Sequence, residues 1–304
     1  MVPSGSSRRT SIRASGSDCA QATGEDLQAK ANPAVAAARR RNSLRLIMRT
    51  ALVGGASKGL GLACAIGLAS RGHRLVLCAR TPSDLESAAA TIRTMREGLE
   101  VVTVPCDFSK RDNLLALNER LKNDCLKIDI LVNNVGGPQP GTVVELTEEQ
   151  WEHGLDLLFR STLRLYRMVL PGMQERGWGR IINILSPAAV EPVASLAISS
   201  VLRAALANYA KLVAKEVGRH GITVNSLMPG GFRTARTDEL ERDTARRRNV
   251  SVQIVQRETE ATIPIQRMLD PKELANFVAY LTSDEAGGIT GALLPIDGGQ
   301  MRTI

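Results

Sequence analysis

A glycine-rich turn near residue 55 has the composition needed to hold a phosphate group. The apolar run 50–53 leads directly into GGASKGLG, residues 54–61, which is followed by a helical pattern. Glycines allow a tight turn and close approach of the backbone to a pyrophosphate, and the N–H groups that open the helix attract its charge. The turn therefore predicts a dinucleotide site. The residues of the turn assigned to this site are Gly55, Ser57, Lys58, Gly59, Leu60 and Gly61.

The end of the second apolar run indicates which dinucleotide binds. An NAD site places an acid there to accept hydrogen bonds from the ribose hydroxyls. This run ends Leu77-Cys78-Ala79-Arg80 and carries no carboxylate. Arg80 is suited to a charge-assisted pair with a 2′-phosphate, and Lys58 adds a second positive charge. The alternative is that both are solvated surface cations. We predict NADP(H) as the cofactor.

The elements that must position these residues alternate along the chain. From Met48 onward, short apolar runs alternate with longer amphipathic stretches, which is typical of a parallel sheet covered by helices. The predicted strands are 50–54, 74–79, 100–105, 128–132, 180–184, 222–227 and 291–295, and the predicted helices are 59–71, 83–97, 110–125, 147–176, 194–219 and 271–283. The expected fold is α/β, a doubly wound parallel sheet (Rossmann fold) of about seven strands with helices on both faces. Residues 48–304 form one predicted domain.

Further motifs follow the glycine turn in a fixed order. They are Cys106-Asp107-Phe108, Asn133-Asn134-Val135-Gly136, Pro229-Gly230 with Thr234, Ile289-Thr290-Gly291 and Asp297-Gly298-Gly299. Together with the turn, they resemble the short-chain dehydrogenase/reductase (SDR) family, and in particular its β-ketoacyl-carrier-protein reductases. In the turn, Gly54 stands where the family usually has Thr. The resemblance implies that Asp107, Phe108, Asn133, Pro229, Gly230 and Thr234 contact the cofactor. It also implies a homodimer or homotetramer built on the long helices 147–176 and 194–219.

The catalytic positions of the family are only partly kept. SDR enzymes use a Ser that polarises the carbonyl, a Tyr that delivers the proton, a Lys four residues later and an Asn in a proton relay. The Ser corresponds to Ser186. Ser199 occupies the Tyr position, Arg203 the Lys position and Leu158 the Asn position. The resemblance therefore assigns catalysis to Ser186, Ser199 and Arg203, with Arg203 also expected to hold the cofactor's ribose.

These substitutions change the acid–base chemistry. A Ser hydroxyl is a far weaker acid than a phenol, and Arg stays protonated at any working pH. General acid help is worth about 10²- to 10⁴-fold in rate, so hydride transfer need not be abolished without it. Our hypothesis is that the three residues bind a substrate oxygen together while the proton arrives through water or another side chain. Glu191 is a candidate donor; the alternative is a solvent-facing carboxylate.

Residues 235–262 occupy the place of the SDR substrate lid. The segment is rich in charge, which favours a mobile, solvated helical element that shields the reaction from water. Arg236 and the run Arg246-Arg247-Arg248 are suited to attract an anionic substrate or carrier. A merely solvated helix face is the competing interpretation.

The leading prediction is an NADP(H)-dependent SDR oxidoreductase that acts on a small carbonyl or alcohol substrate. The missing Tyr, Lys and Asn favour a rival, a catalytically impaired dinucleotide-binding protein that serves as a sensor or partner subunit. The retained Ser186 and the lid favour the enzyme.

Composition excludes several other classes. The net charge is +8, but residues 1–47 hold eight basic and three acidic residues, which leaves +3 for the rest. No basic stripe interleaved with aromatics occurs in the body, so nucleic-acid binding is not expected. The five cysteines lack metal-ligand spacing, and we predict no metal site. No apolar run reaches the ~18 residues of a membrane span.

The first 47 residues, rich in Ser, Ala and Arg, are expected to be a disordered tail or leader. An upstream start codon or an organellar transit peptide would explain such a segment. The expected location is cytoplasmic, or organellar if the segment is a transit peptide.

Overall fold

The computed structural model of the chain describes residues 48–303. These residues belong to one compact unit. The predictions for residues 1–47, a disordered tail or a leader, lie outside the described residues. None of the described helices combines the length and the apolar character that a membrane crossing requires.

The sheet of residues 48–303 contains seven strands, and every neighbouring pair is parallel. The strands are β1 Thr50–Gly54, β2 Arg74–Ala79, β3 Val101–Pro105, β4 Ile130–Asn133, β5 Gly179–Ile184, β6 Ile222–Pro229 and β7 Leu293–Ile296. Their spatial order is β3-β2-β1-β4-β5-β6-β7. This arrangement confirms the prediction of a doubly wound parallel sheet.

Helices cover both faces of the sheet. They are α1 Gly59–Ser70, α2 Pro82–Arg93, α3 Arg111–Asn123, α4 Glu148–Gly154, α5 Ser161–Arg176, α6 Ala197–Val217, α7 Ala235–Arg248, α8 Val252–Ala261 and α9 Pro271–Leu281. One buried cluster packs α1, α2 and α9 against side chains such as Val53. The other packs α3, α5 and α6 against side chains such as Leu52. Successive strand residues point to opposite faces, so the continuous apolar run of β1 supplies both cores.

The predicted helix 147–176 is interrupted. A capping box between Thr147 and Gln150 starts α4, and a π-helical turn over Leu155–Arg160 separates α4 from α5. Such turns hold an extra residue within a helix and recur at functional sites. Here the turn buries Leu158 completely, while its neighbour Leu157 lines a surface cavity described below.

A buried polar network ties α5 to the sheet. Asn133 Nδ2 donates to Thr162 Oγ1 at 2.9 Å and to Asn183 Oδ1 at 3.0 Å. The Tyr166 hydroxyl lies 3.0 Å from Asn183 Oδ1, and Asn183 Nδ2 contacts Ser226 Oγ at 3.3 Å. These bonds satisfy polar groups that would be expensive to bury alone, apart from Asn133 Oδ1, which has no partner among the described residues, and they link the ends of β4, β5 and β6.

The network predicts a stability effect. Replacing Tyr166 by Phe removes the hydroxyl that bonds to Asn183 and should lower the free energy of unfolding by about 1 kcal/mol. Urea denaturation of the full chain measures the change. The control is Tyr280→Phe, because Tyr280 is 41% exposed and its hydroxyl has no described partner. Equal stabilities of the two variants would contradict a structural role for the network.

Candidate cofactor cleft and active site

A cavity of about 500 Å³ opens at the carboxyl ends of the strands. It lies where the strand order reverses, since β1 is flanked by β2 on one side and β4 on the other. Ligands of doubly wound sheets bind in this kind of crevice. Many of the predicted cofactor residues line it: Gly55, Ser57, Lys58, Gly59, Leu60, Gly61, Arg80, Asp107, Phe108, Gly230 and Thr234. The other three, Asn133, Pro229 and Arg203, are not among its lining residues.

The glycine turn shapes the cavity floor. Gly55 and Gly59 have φ values of +56° and +59°, a region that residues with a Cβ rarely adopt. A Cβ on Gly61 would lie 2.2 Å from the carbonyl oxygen of Gly55. Lys58, which precedes α1, caps the helix with no side-chain hydrogen bond. The first N–H groups of α1 therefore remain available to a phosphate.

The small residue at position 54 of the turn is explained by packing. A Cβ on Gly54 would lie 2.7 Å from the Phe108 ring and 2.6 Å from the carbonyl oxygen of Asn134. Asn134 Nδ2 donates to the Gly54 carbonyl at 3.1 Å. Gly54 stands where the family usually has Thr, and the Phe108 ring packs so close to it that a side chain at position 54 would collide with the ring.

One end of the cavity carries free positive charge. Lys58 and Arg80 are exposed, and the side chain of neither forms a hydrogen bond or salt bridge with another residue of 48–303. Asp107 lines the same cavity. Burial opposes ionisation of Asp107, but hydrogen bonds from Ser109 and the nearby charges of Arg80 and Lys110 hold its pKa below the usual value. Asp107 is therefore a hydrogen-bond acceptor at neutral pH, as an adenine contact requires.

Asn133, a predicted cofactor residue, and its neighbour Asn134 occupy different places. The side chain of Asn133 belongs to the buried network below the cavity, whereas Asn134 lines the cavity and holds the glycine turn. Sequence reasoning also missed Thr81, Asp84, Leu157, Phe232 and Thr237 among the lining residues. The motif Asn133-Asn134 was a signal for Asn134, but nothing in the sequence marks Leu157 or Phe232.

Two of the predicted catalytic residues, Ser199 and Arg203, contact each other, and Arg203 also contacts the end of β5. Arg203 Nε donates to Ser199 Oγ at 3.1 Å, and Arg203 Nη1 donates to the carbonyl of Ile184 at 2.9 Å. Ser186 follows two residues after Ile184, and its Oγ accepts from the Ala188 amide at 3.2 Å. Ser199 and Arg203 are buried. Burial lowers the pKa of Arg203 to about 10, so the guanidinium remains charged at neutral pH.

An apolar cluster contains the sequence neighbours of these residues. Leu158, at the position of the family's Asn, is fully buried with Leu185, Ile198, Leu202 and Leu206. No side chain here replaces the Asn of a proton relay.

Glu191 does not fit its candidate role as proton donor. Its Oε1 accepts from the backbone amides of Thr303 at 2.7 Å and Arg302 at 2.5 Å, and from the Thr303 hydroxyl at 3.0 Å. These hydrogen bonds, led by the one from the Thr303 amide, lower its pKa. The carboxylate is ionised at neutral pH and is occupied by the C-terminal segment, so it holds no proton to give. It is also not simply a solvent-facing group.

The stretch predicted as a lid forms two helices, α7 and α8, separated at Asn249. Thr234 caps α7 by accepting from the Thr237 amide at 3.3 Å, and the first turn of α7 reaches the cavity through Arg236. Arg233 ties the helices together, with Nη1 2.6 Å from Glu241 and Nη2 3.0 Å from Glu260.

The arginines proposed as anion attractors are engaged within the lid. Arg236 pairs with Glu239, Arg246 with Asp243, and Arg248 with Glu258, whereas Arg247 only donates to the Thr244 hydroxyl at 3.4 Å. This pairing favours the interpretation of solvated helix faces.

The glycine turn generates a prediction. Gly61→Ala should weaken dinucleotide binding about 5- to 150-fold, because its methyl group collides with the Gly55 carbonyl and overpacking of this kind costs about 1–3 kcal/mol. The quenching of Trp fluorescence by NADPH and thermal unfolding together measure the effect. Gly218→Ala is the control, since Gly218 has φ −54° and open space around its Cα. Normal NADPH binding by Gly61→Ala would contradict the assignment of the turn.

Comparisons with known proteins agree with this geometry. The family model described as Enoyl-(Acyl carrier protein) reductase matches residues 55–301. A Monensin polyketide synthase putative ketoacyl reductase from Streptomyces virginiae is 35% identical over 254 residues, 83% of this chain and 96% of that protein. The NADPH-dependent reductase BacG of Bacillus subtilis is 30% identical over 256 residues, 84% of this chain and 99% of that protein.

A solved structure shows the same fold. The L-sorbose reductase from Gluconobacter frateurii, complexed with NADPH and L-sorbose, superposes with a TM-score of 0.81 at 32% identity, covering 84% of this chain and 98% of that one. The sheet, the glycine turn and these matches lead to one conclusion. The chain belongs to the short-chain dehydrogenase/reductase family of oxidoreductases and resembles its ketoacyl reductases.

Proposed function

We propose that this protein is an NADP(H)-dependent oxidoreductase that transfers hydride between the nicotinamide and a small carbonyl or alcohol substrate. The observation that carries the proposal is the cleft at the strand reversal, where a helix start without a side-chain cap faces a cavity that is also lined by two cations whose side chains have no partner within residues 48–303. BacG and the L-sorbose reductase, both similar over most of this chain, are an NADPH-dependent reductase and a reductase complexed with NADPH.

The residues of the cleft fit the cofactor. Gly55, Gly59 and Gly61 leave the backbone bare where a pyrophosphate would approach, and Lys58 with Arg80 supplies charge for a 2′-phosphate. Asp107 offers an acceptor and Phe108 an apolar surface at the adenine end. Gly230 and Thr234 lie at the other end, and we assign the carboxamide to them and to Pro229. NADPH, when bound, supplies the hydride from its nicotinamide ring.

Ser186, Ser199 and Arg203 bind the substrate oxygen in this proposal. Ser186 and Ser199 each accept one hydrogen bond through Oγ, which leaves their hydroxyl protons free to donate. The charge of Arg203 stabilises negative charge that develops on the oxygen. Because none of these groups is an acid near neutral pH, the proton comes from water. Arg203 is also the residue that we assign to the cofactor's ribose.

A non-catalytic dinucleotide-binding protein is the second candidate. The observation that favours it is the apolar packing of Leu158 at the position of the relay Asn, together with the burial of Ser199 and Arg203 away from the lining of the cavity. In that case the chain binds NADPH and acts as a sensor or a partner subunit.

One experiment separates the two candidates. The full chain is titrated with NADPH, and the absorbance of NADPH is then followed with ketones, diketones, quinones and acyl thioesters. Consumption with any of these substrates, lost in Ser186→Ala, supports the enzyme. Binding without consumption supports the second candidate, and absence of binding contradicts both.

The choice of cofactor is tested separately. Lys58→Ala and Arg80→Ala should each weaken NADPH binding about 10- to 100-fold, since a charge-assisted hydrogen bond contributes about 1.5–3 kcal/mol. NADH binding should change little, because NADH lacks the 2′-phosphate. Arg71→Ala, at the far end of α1 and outside the cavity, is the control for a general loss of positive charge. Tighter binding of NADH than of NADPH by the unaltered chain would refute the roles of both cations.

Family membership also underlies our proposals of a homodimer or homotetramer and of a cytoplasmic location. The interface would be formed by α6 and by the helical stretch from α4 to α5. Light scattering of the purified chain tests the oligomeric state. A measured mass equal to that of a single chain at micromolar concentration would contradict the proposed homodimer or homotetramer.

A further inference from the structure

The segment that leads from β6 into α7 is anchored by one arginine. Arg233 is flanked by Phe232 and Thr234, which both line the cofactor cavity. Its amide donates to the carbonyl of Leu269 at 2.9 Å, and the amide of Leu269 donates to the carbonyl of Gly231 at 2.9 Å. These two bonds join the segment before α7 to the segment that follows α8. The stretches of chain that enter and leave the lid are therefore held together at Arg233.

The side chain of Arg233 also joins the two lid helices. Nη1 lies 2.6 Å from Glu241 Oε2 and 3.3 Å from Asp238 Oδ1, both on α7, and Nη2 lies 3.0 Å from Glu260 Oε1 on α8. Within residues 48–303, no other Lys or Arg forms a salt bridge with these three carboxylates. One cation thus stands among three anions, which would repel each other in its absence.

Glu241 depends most on this contact. It is 4% exposed, and its Oε1 is enclosed without a hydrogen-bond partner among the described residues. Asp238 and Glu260 are nearer to solvent, with 42% and 35% of their side chains exposed. A buried carboxylate is costly unless it is paired. Without Arg233, the carboxylate of Glu241 would have to reach water to stay ionised, and α7 would have to move with it.

The cluster of Arg233 with Asp238, Glu241 and Glu260, here called the Arg233 clasp, is better suited to fixing a position than to adding stability. Apolar side chains of similar size can hold two helices together at least as well, because buried charges lose their hydration. The planar fork of a guanidinium instead fixes the direction of each partner. Arg236 and Thr237, in the first turn of α7, line the cavity. A shift of α7 therefore changes the wall of the cavity.

We propose that Arg233 is a positioning residue: its guanidinium clamps α7 to α8 and thereby holds the first turn of α7 at the wall of the cofactor cavity. The lid then moves as one unit when a ligand enters or leaves, and not as two independent helices. Arg233 is not among the residues that line the cavity, so its effect passes through α7. The proposal rests on the proposed function for the identity of the ligand.

Hydrogen exchange of the cofactor-free full chain, measured by mass spectrometry at mildly alkaline pH, tests the clasp. In Arg233→Met, the amides of α7 and α8 should exchange about tenfold faster, as expected when a charged hydrogen bond is lost, while the amides of β1 to β6 keep their rates. Arg233→Lys should give intermediate rates, because an ammonium group lacks the two-nitrogen fork. Unchanged exchange in α7 and α8, or equal acceleration in the lid and the sheet, overturns the proposal.

Affinity for NADPH gives the second readout. Arg233→Met should weaken NADPH binding about tenfold, because the cavity wall formed by α7 is displaced, and Arg233→Lys should restore part of the affinity. A purely structural role would instead lower the Tm and accelerate exchange throughout the chain. An unaltered affinity in Arg233→Met overturns the proposal.

Arg93→Met is the matched control. Arg93, at the end of α2, also bonds to an acid, Glu86, and to a second acceptor, the carbonyl of Val101. Its side chain is 41% exposed, against 32% for Arg233. Loss of Arg93 should change neither the exchange of the lid nor the affinity for NADPH. A lid that loosens as much in Arg93→Met as in Arg233→Met contradicts a specific role for the clasp.

The two readouts also separate this proposal from the proposed function. A chain that binds no NADPH refutes the proposed function, and the hydrogen exchange of its cofactor-free lid then decides the clasp alone. Binding of NADPH that is equally tight in Arg233→Met and in the unaltered chain supports the proposed function and refutes the clasp.

Discussion

The structure depends on one topological constraint, the reversal of strand order on either side of β1. The chain leaves β1 through α1 toward β2 and β3, and later returns to place β4 on the opposite side of β1. The helices that follow β1 and β2, α1 and α2, pack on one face of the sheet, and the helices that follow β4 and β5, α5 and α6, pack on the other. The loops at the carboxyl ends therefore diverge and leave a crevice. The start of α1 opens into this crevice, and the residues that line it are positioned relative to that point.

The two halves of the site depend on different kinds of chemistry. The phosphate-binding half uses backbone N–H groups and the absence of side chains, so it requires only the conformation of residues 54–61 and the packing of Asn134 against them. The reacting half uses particular side chains, and there the sequence predicts departures from the family at residues 158, 199 and 203. Because the halves are carried by separate elements, the first can be retained while the second acquires a different chemistry. The altered residues remain mutually bonded through Ser199 and Arg203, which is consistent with a re-tuned site.

The predictable parts were those encoded by local pattern. Apolar runs such as 75–77 are continuous because both faces of the sheet are covered, and this placed all seven strands within three residues of their observed bounds. The glycine turn was recognisable because the glycine spacing between a strand and a helix, which is visible in the sequence, is also what allows the backbone to bind a phosphate. The π-helical turn at Leu155–Arg160 could not be recognised in the sequence, because its pattern of apolar residues does not differ from that of the helices around it. Contacts between distant residues were also hidden: Glu191 meets Thr303 across 112 positions, and the side chain of Asn133 turns into a network completed by α5 and β5.

The most direct measurement of the central claim is a ³¹P NMR titration of NADPH with the full chain. If the N–H groups at the start of α1 hold the pyrophosphate while Lys58 and Arg80 hold the extra phosphate, both the pyrophosphate and the 2′-phosphate resonances should shift or broaden as protein is added. The pyrophosphate resonances should respond in NADH as well. Resonances of NADPH that remain unchanged in the presence of excess, well-folded protein would contradict the account of the cleft.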